Sequence, residues 1–276
     1  MTLRQSSPGS LPASLRAPVV RVSSHGAALD HREVPDETAV ALVHDGSTTA
    51  VMMATPSDLE DFALGFSLTE GIIADASEIE NLEVVETKLG IEVRMWLARP
   101  RSEALASRRR YLAGPTGCGL CGIDSLSEAR RASPKVAEGL QISAIDIAAA
   151  LEALPERQTL GAATRAVHAA GWWALSGGFV CLREDVGRHN ALDKLVGALR
   201  AAHEPRPEGV LFLTSRVSVE MVQKAAVLGA QVLVAVSAPT ALAIRTADEA
   251  AITLVGVARR DGFEIFTRPD RISGRA

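Results

Sequence analysis

The sequence has few aromatic residues, few cysteines and no long apolar run. Phe, Trp and Tyr make up 4% of it, so Val, Leu, Ile and Ala must fill the core, which suits sheets covered by Ala-rich helices. Three cysteines, two of them separated by two residues, do not make a secreted disulfide framework and favour a reducing compartment. No stretch of about 18 uncharged apolar residues exists, and the first 25 residues lack an apolar leader. We therefore predict a cytoplasmic protein without a membrane partner.

The net charge limits the possible functions, and the chain length limits the possible folds. A net charge of −4 argues against a general nucleic-acid binder, whose affinity depends on basic residues that neutralise phosphates. With 276 residues, 47% of them hydrophobic, the chain can bury a core in one large domain or two small ones. An α/β fold is the class that this composition favours.

The N-terminal half is predicted to be rich in strands. Residues 1–17 contain few large apolar residues and are predicted to form a flexible tail. Two hairpins follow, built from residues 38–43, 49–55, 82–87 and 91–97. Between the hairpins we predict an amphipathic helix with Thr55 as its N-cap and Asp58 closing a capping box.

The C-terminal half alternates between apolar segments and helical patterns. The apolar segments are residues 172–182, 209–214, 231–236 and 252–257. The helical patterns are residues 188–202, 217–229 and 239–249. This alternation predicts a largely parallel sheet with covering helices. We therefore divide the chain into the tail, a β-rich subdomain of residues 18–135 and an α/β core of residues 136–276.

A glycine-rich segment between the halves carries Cys118 and Cys121 in the sequence GPTGCGLCG. Cysteine reacts as the thiolate, so a reactive site needs exposure and positive charge that lowers a thiol pKa of about 8.5. The glycines provide access to the sulfur, and Arg108, Arg109 and Arg110 can supply the charge. The pattern favours sulfur or redox chemistry.

Other uses of a Cys-x-x-Cys stay open at this point. It could be half of a zinc site, although Cys181 is the only other cysteine and no second ligand pair has the usual spacing. A deaminase zinc centre needs a His-x-Glu before a Pro-Cys-x-x-Cys, and His31 and Pro115 are poorly placed for it. A thioredoxin-like pair would come directly after a strand, at the start of a helix, whereas a glycine-rich segment surrounds this pair. A pair without any chemical role is the last alternative. We predict no bound metal.

Polar residues are dense after the first apolar segment of the C-terminal half. The sequence REDVGRHNALDK places Arg188, His189 and Lys194 where they can converge on an anion at the carboxyl end of a sheet. Turns at 214–216 and 236–240 are similar and precede helices, whose N termini bind phosphate. Ordinary helix capping explains each turn equally well when it is taken alone.

Seven segments in a fixed order resemble the FdhD/NarQ family of formate dehydrogenase accessory sulfurtransferases. They are MATPSDLEDFALGFSLTEGII at 53–73, GPTGCGLCG at 114–122, HAAGWWAL at 168–175, EDVGRHNALDKLVG at 184–197, SRVSVEMVQKA at 215–225, SAPTALAI at 237–244 and TLVGVARRDGFEIFTRPDRI at 253–272. Their shared order is far more specific than any single motif.

The resemblance implies a cytidine-deaminase-like α-β-α core with a mixed, largely parallel sheet, plus a smaller N-terminal β-rich part. It also implies that Cys118 forms the persulfide and that Cys121 is the second cysteine of the pair. The stretch implied to contact the cofactor is Val257, Ala258, Arg259, Arg260, Asp261 and Gly262. The implied sulfur donor is a cysteine desulfurase. The implied acceptor is the guanine-nucleotide-containing cofactor of formate dehydrogenase, Mo-bis(molybdopterin guanine dinucleotide), and a homodimer is implied as well.

The leading hypothesis is a sulfurtransferase in which Cys118 takes up persulfide sulfur and delivers it to the molybdenum cofactor. Cys121 can hold or relay the sulfur, or protect the pair as a disulfide. The rival hypothesis is a non-catalytic molybdenum-cofactor chaperone whose cysteines serve only as a redox latch. A nucleoside deaminase is the third hypothesis, and a zinc analysis separates it from the other two.

Overall fold

The N-terminal part of the chain forms two separate sheets built from hairpins in the computed structural model. The structure describes residues 11–103, 105, 133–202 and 206–274. Its strands are β1 Ser14–Ser23, β2 Gly26–Pro35, β3 Thr38–His44, β4 Ser47–Ala54, β5 Ile79–Thr87 and β6 Gly90–Leu97. β1 and β2 pair only with each other within the described ranges, and the other strands form a sheet of order β4-β3-β6-β5. Both predicted hairpins are confirmed. The predicted tail is too long, because residues 14–17 pair with β2.

Helix α1, Leu59–Thr69, follows the first hairpin, but its start differs from the predicted one. Asp58 is the N-cap residue, has a φ of 52° and makes no side-chain capping bond. The Thr55 hydroxyl instead accepts a hydrogen bond from Val186 N at 3.2 Å. The predicted capping box at Thr55 is therefore wrong, because a tertiary contact uses the hydroxyl that local capping would need.

The C-terminal part is built on a six-stranded sheet of order β13-β12-β11-β10-β8-β9. In the described residues of this part, the strands are β7 Ile142–Ser143, β8 His168–Ala174, β9 Phe179–Asp185, β10 Gly209–Leu213, β11 Val232–Ala235, β12 Thr253–Arg259, β13 Gly262–Ile265 and β14 Ile272–Ser273. The α-helices there are α2 Ala144–Arg157, α3 Thr159–Thr164, α4 Arg188–Ala201, α5 Val219–Leu228 and α6 Ala241–Glu249. The three helical patterns predicted for the C-terminal half thus correspond to α4, α5 and α6.

One predicted strand is in fact a hairpin. Residues 172–182 were expected to form a single apolar strand, but the chain reverses within them between β8 and β9. Gly177 and Gly178 have φ values of 95° and 98°, which side chains other than glycine rarely adopt, and they make the reversal possible. β8 therefore runs antiparallel to β9 and β10, and the parallel pairs are β10 with β11 and β11 with β12. The α/β class with a mixed sheet is confirmed, with its parallel part at the centre.

Helices cover both faces of the six-stranded sheet. Helices α1, α4, α5 and α6 share one buried apolar cluster with the four-stranded sheet. Helix α2 covers the opposite face with a second cluster. No helix within the described ranges is both long and apolar enough to cross a membrane.

Helices α1 and α4 cross at two glycines, which joins the two halves of the chain. A Cβ atom on Gly65 of α1 would lie 1.8 Å from the Asp193 carbonyl oxygen. A Cβ atom on Gly197 of α4 would lie 1.9 Å from the Asp61 carbonyl oxygen. The larger apolar cluster therefore spans residues from both predicted units, and the division at residues 135 and 136 stays a prediction.

Candidate functional site

The carboxyl ends of four strands, β9, β10, β11 and β12, lie at one edge of the six-stranded sheet, with the antiparallel β8 between β9 and β10. β8 is antiparallel to both β9 and β10, so β9 points the same way as the parallel strands β10, β11 and β12. We call this the polar edge, and its residues are His168, Asp185–His189, Thr214–Arg216, Val236–Thr240 and Val257–Gly262. The turns predicted to line a single edge therefore do so.

Backbone hydrogen bonds link neighbouring turns of the polar edge. Val217 N donates to the Ala238 carbonyl at 3.3 Å, and Thr240 N donates to the Val217 carbonyl at 3.0 Å. Val257 N donates to the Ser237 carbonyl at 3.2 Å. These bonds make the turns after β10, β11 and β12 one continuous surface.

Three helices begin at the polar edge. α4 starts at Arg188, α5 at Val219 and α6 at Ala241, each after one of these strands. The unpaired N–H groups and the positive end of the helix dipole favour an anion at each start. The Thr240 side chain caps α6 by accepting from Ala243 N at 3.2 Å, whereas Gly187 gives α4 no side-chain cap. The start of α5 has no side-chain cap either, so α4 and α5 each have one more backbone donor for a ligand than α6.

The last part of β12, where its pairing with β13 is irregular between Gly256 and Arg259, holds a residue in a strained conformation. Val257 has a φ of 51°, which is unfavourable for a β-branched side chain, and its side chain is exposed. Such strain is often found at ligand-binding turns. Ala258 is buried, and the Arg259 guanidinium donates to the carbonyls of Ala258 and Val236. Arg259 is therefore folded back onto the ends of the strands.

The turn between β12 and β13 is open to solvent. Arg260, Asp261 and Gly262 are exposed, and the Arg260 guanidinium lies 3.5 Å from a Glu152 carboxylate oxygen. An exposed ion pair of this kind contributes little and can be exchanged for a ligand contact. Arg260 is thus an exposed cation of the stretch Val257–Gly262 whose weak ion pair a ligand can replace.

Two buried side-chain nitrogens at the start of α4 have no hydrogen-bond partner among the described residues. They are Nε of Arg188 and Nε2 of His189. The His189 Nε2 atom lies 3.9 Å from a Glu220 carboxylate oxygen, which is too far for a hydrogen bond. Burial, together with the positive charges of Arg188 and Lys224, lowers the pKa of His189 to about 4. Burial and Arg188 also lower the pKa of His168. Buried polar atoms without partners indicate a missing ligand or water, and here the surrounding charge is positive.

Lys194 does not face the polar edge. Its side chain is fully buried, and its ammonium lies 2.7 Å from Asp185 Oδ2 and donates to the Thr55 carbonyl at 2.9 Å. Asp185 also accepts hydrogen bonds from Gly187 N at 2.7 Å and from the Asn190 amide at 3.0 Å. The dense polar sequence after β9 therefore forms an internal clamp as well as a surface, and a direct ligand contact by Lys194 would require the clamp to open.

The predicted cofactor residues lie at two ends of the polar edge. Arg188 and His189 follow β9, whereas Val257–Gly262 follow β12, and β8, β10 and β11 lie between these strands. Four strand spacings separate the two groups by roughly 19 Å. A small anion cannot contact both groups at once, so only an extended ligand could bridge them.

Only one of the three cysteines, Cys181, lies among the described residues. Cys118 and Cys121 lie outside the described residues, so their geometry stays a prediction. Cys181, on β9, is half-buried and carries a free thiol, and burial raises its pKa. Within the described ranges no group of three or more His, Cys, Asp or Glu side chains could hold a metal ion.

Comparison with known proteins decides the family. The FdhD/NarQ family model matches residues 35–273, which include the polar edge and both cysteines of the pair. The chain belongs to the FdhD/NarQ family. This FdhD/NarQ protein is 55% identical to the sulfur carrier protein FdhD of Agrobacterium fabrum over 89% of its own length and 91% of the relative. It is 52% identical to the protein of the same name from Brucella abortus, with 87% and 90% covered.

The fold is shared with a solved structure. A crystal structure of a proposed formate dehydrogenase accessory protein from Desulfotalea psychrophila superposes with a TM-score of 0.76. It covers 95% of this chain and 100% of the other, at 24% identity. At that identity the likeness supports the fold alone.

Sequence reasoning missed three features of the polar edge in this FdhD/NarQ protein. His168 reaches the edge because β8 runs opposite to its neighbours, and Glu220 reaches it in the first turn of α5. The positive φ of Val257 could not be predicted from the sequence, because a valine in an apolar run is typical of a regular strand. For Glu220 a signal existed, because it lies in the segment SRVSVEMVQKA, but an acidic residue in a first helical turn is ordinarily explained by the helix dipole.

The lowered pKa of His189 predicts a pH-dependent stability. The unfolded chain binds a proton at His189 near pH 6.5, whereas the folded chain does so only near about 4. The free energy of unfolding should therefore fall as the pH drops below 6.5, by at most about 3 kcal/mol from this residue. Urea unfolding of wild type and His189→Gln between pH 7 and pH 5 measures the difference. If the free energy of unfolding fell equally in both proteins between pH 7 and pH 5, His189 would not be held neutral in the folded chain.

Proposed function

We propose that this chain is a sulfur carrier that accepts persulfide sulfur and passes it to the molybdenum cofactor of formate dehydrogenase. The observation that carries the proposal is the identity of 55% over most of the chain to a relative named sulfur carrier protein, within a family match that spans Cys118 and Cys121. A cysteine desulfurase is the proposed donor. Mo-bis(molybdopterin guanine dinucleotide) is the proposed acceptor, treated as a substrate, and the cytoplasm is the proposed location.

The proposed transfer is a thiol–persulfide exchange. The Cys118 thiolate attacks the outer sulfur of the donor persulfide, the donor S–S bond breaks, and the donor leaves as a thiolate. A new S–S bond forms on Cys118, so the step needs neither an oxidant nor a reductant. Cys121 then holds or relays the sulfur. A protective Cys118–Cys121 disulfide, formed when no sulfur is bound, needs in addition a two-electron oxidant such as an external disulfide, which is reduced to two thiols.

The third cysteine is a poor candidate for the carrier. Burial raises the pKa of Cys181, so at neutral pH its sulfur is mainly the unreactive thiol. Arg183 acts in the opposite direction, yet it is paired with Asp61 at 2.7 Å. The chemistry is therefore assigned to the Cys-x-x-Cys pair.

The polar edge is the proposed binding surface for the cofactor. Arg188 and His189 offer buried nitrogens without hydrogen-bond partners among the described residues at one end. Val257–Gly262 offer the strained Val257 and the exposed Arg260 at the other. A dinucleotide-type cofactor with several phosphates is long enough and anionic enough to use both ends and the helix starts between them. Lys194 supports this surface from beneath, through Asp185.

The carrier proposal predicts a mass change that depends on one residue. After incubation with a cysteine desulfurase and cysteine, mass spectrometry should show the wild-type chain heavier by one sulfur atom, because Cys118 retains the persulfide. Cys118→Ala should lose this gain almost completely, whereas the matched control Cys181→Ala should keep it. Equal gain in Cys118→Ala would contradict the proposal.

The alternative function is a cofactor chaperone whose cysteines act only as a redox latch. The polar edge supports it to the same extent, since cofactor binding needs no cysteine. Complementation of a strain lacking the carrier distinguishes the two functions: a Cys118→Ala/Cys121→Ala chain that restores formate dehydrogenase activity favours the chaperone.

We also propose a homodimer, for which the β1–β2 hairpin offers a surface. Val20, Val22 and Leu29 lie on one face of this hairpin and are 62%, 76% and 89% exposed. β2 contacts α3, where Arg32 donates to the Thr164 carbonyl at 3.2 Å, but the three apolar side chains stay exposed. An isolated two-stranded sheet is marginally stable in water, so a second copy that covers these side chains would stabilise the hairpin. A monomer in sedimentation experiments at micromolar concentration would exclude this arrangement.

A further inference from the structure

A second basic site lies along the edge strand β9, away from the polar edge. A groove of about 600 Å³ runs between β9 and the C-terminal end of α4. Arg157, Arg183 and Arg206 line it, and so does Cys181. The groove lies near Ala198, ten residues along α4 from Arg188, or roughly 15 Å along the helix axis.

Two of the three arginines have no carboxylate partner in the part of the chain that the structure describes. Arg183 is paired with Asp61 at 2.7 Å. Arg157 donates to the Phe179 carbonyl at 2.9 Å, and Arg206 donates to the Leu228 carbonyl at 2.7 Å. A guanidinium has five N–H donors, so these backbone contacts leave most of the donors of both side chains available.

Among the described residues, no carboxylate offsets the positive charges of Arg157 and Arg206, whereas Arg183 is paired with Asp58 and Asp61. Burial, with the nearby positive charge of Arg200, lowers the pKa of Arg206 to about 10. The Arg206 guanidinium is held in place over the buried Trp172 ring, 4.2 Å from its centroid. An anion placed between Arg157 and Arg206 would offset the repulsion between Arg206 and Arg200. It would also accept hydrogen bonds from the remaining N–H groups of Arg157 and Arg206.

We propose that this groove binds a small phosphorylated anion of pyrophosphate to nucleotide size. Its volume falls within the range of about 300–1,000 Å³ that is usual for small-molecule sites. Pairs of guanidinium groups match phosphate oxygens in bidentate geometry. Because the Cys181 thiol is held in its protonated form, the groove binds its ligand and does not serve as a second sulfur-transfer site.

Cys181 offers a direct probe of this groove. In the full chain carrying Cys118→Ser and Cys121→Ser, Cys181 is the sole cysteine. Its slow alkylation by the uncharged reagent N-ethylmaleimide at about pH 8.5, where a fraction of the thiol is ionised, reports access to the groove. At low ionic strength, pyrophosphate should slow this alkylation several-fold and saturably, and citrate should protect less. Since the proposed carrier cysteines are absent, the result does not depend on sulfur transfer.

Matched variants identify which site the anion occupies. Arg157→Gln keeps a donor for the Phe179 carbonyl but removes the charge, and it should abolish most of the protection. Arg188→Gln, at the polar edge, should leave the protection of Cys181 unchanged. The proposal is overturned by an absence of protection by pyrophosphate, by equal protection in Arg157→Gln, or by stronger protection with citrate, which would indicate a polycarboxylate ligand.

Discussion

Replacing Lys194 by Met should lower the free energy of unfolding by about 3–5 kcal/mol, because it leaves a buried carboxylate without its cation. Both side chains of the Lys194–Asp185 pair are fully buried, with nitrogen and oxygen 2.7 Å apart. Asp185 would keep its hydrogen bonds from Gly187 and from Thr55 N, so the loss falls short of the full cost of an isolated buried charge. Urea denaturation at pH 7 measures the change.

The control for this variant is an exposed ion pair. Arg260→Met removes the cation from its pair with Glu152, in which both side chains are mostly exposed, and should change the stability very little. If Lys194→Met were as stable as Arg260→Met, the buried clamp would not contribute to the native state. The clamp also links Thr55 of the N-terminal half to the start of α4, so its loss should loosen Arg188 and His189.

Replacing Gly197 by Ala should destabilise the protein by about 3 kcal/mol, close to the upper end of what overpacked cores lose. The new Cβ would lie 1.9 Å from the Asp61 carbonyl oxygen, so backbone must move and α1 and α4 must separate. Helix propensity acts in the opposite direction, because Ala stabilises a helix interior by about 1 kcal/mol relative to Gly. Thermal and urea unfolding of the purified variant measure the net result.

Gly262→Ala is the matched control for the helix crossing. A Cβ at Gly262 would meet no atom within 4 Å, and the residue does not need a positive φ. A stable Gly197→Ala variant would mean that the two helices can move apart without cost. Gly65→Ala tests the same crossing from α1, where the Cβ would lie 1.8 Å from the Asp193 carbonyl oxygen.

Together the clamp and the crossing explain why one motif has two physical roles. In the segment EDVGRHNALDKLVG, Asp185, Lys194 and Gly197 hold the halves of the protein together, whereas Arg188 and His189 face the polar edge. Sequence reasoning placed Lys194 with the ligand-facing residues, because a charged residue beside a polar turn is usually exposed. A buried lysine is recognisable only once its partner is known.

Local patterns determined much of the secondary structure and the family. Helices α4, α5 and α6 follow from their apolar periodicity, which depends on residues only three or four positions apart. The hairpins β3–β4 and β5–β6 follow from alternation and turn residues. Thr55 and the segment 172–182 were misread because a hydroxyl and a pair of glycines each have two local interpretations.

By itself, the sequence determined the α/β class, the FdhD/NarQ family and the candidate cysteines, because these depend on composition, on short-range periodicity and on the order of motifs. Only the tertiary structure decided that Thr55 binds Asp185, 130 residues away, and that Lys194 is buried. It also decided that Arg188 and Val257–Gly262 lie at opposite ends of one edge. Strand order and strand direction create these relations, and no pattern of neighbouring residues encodes them.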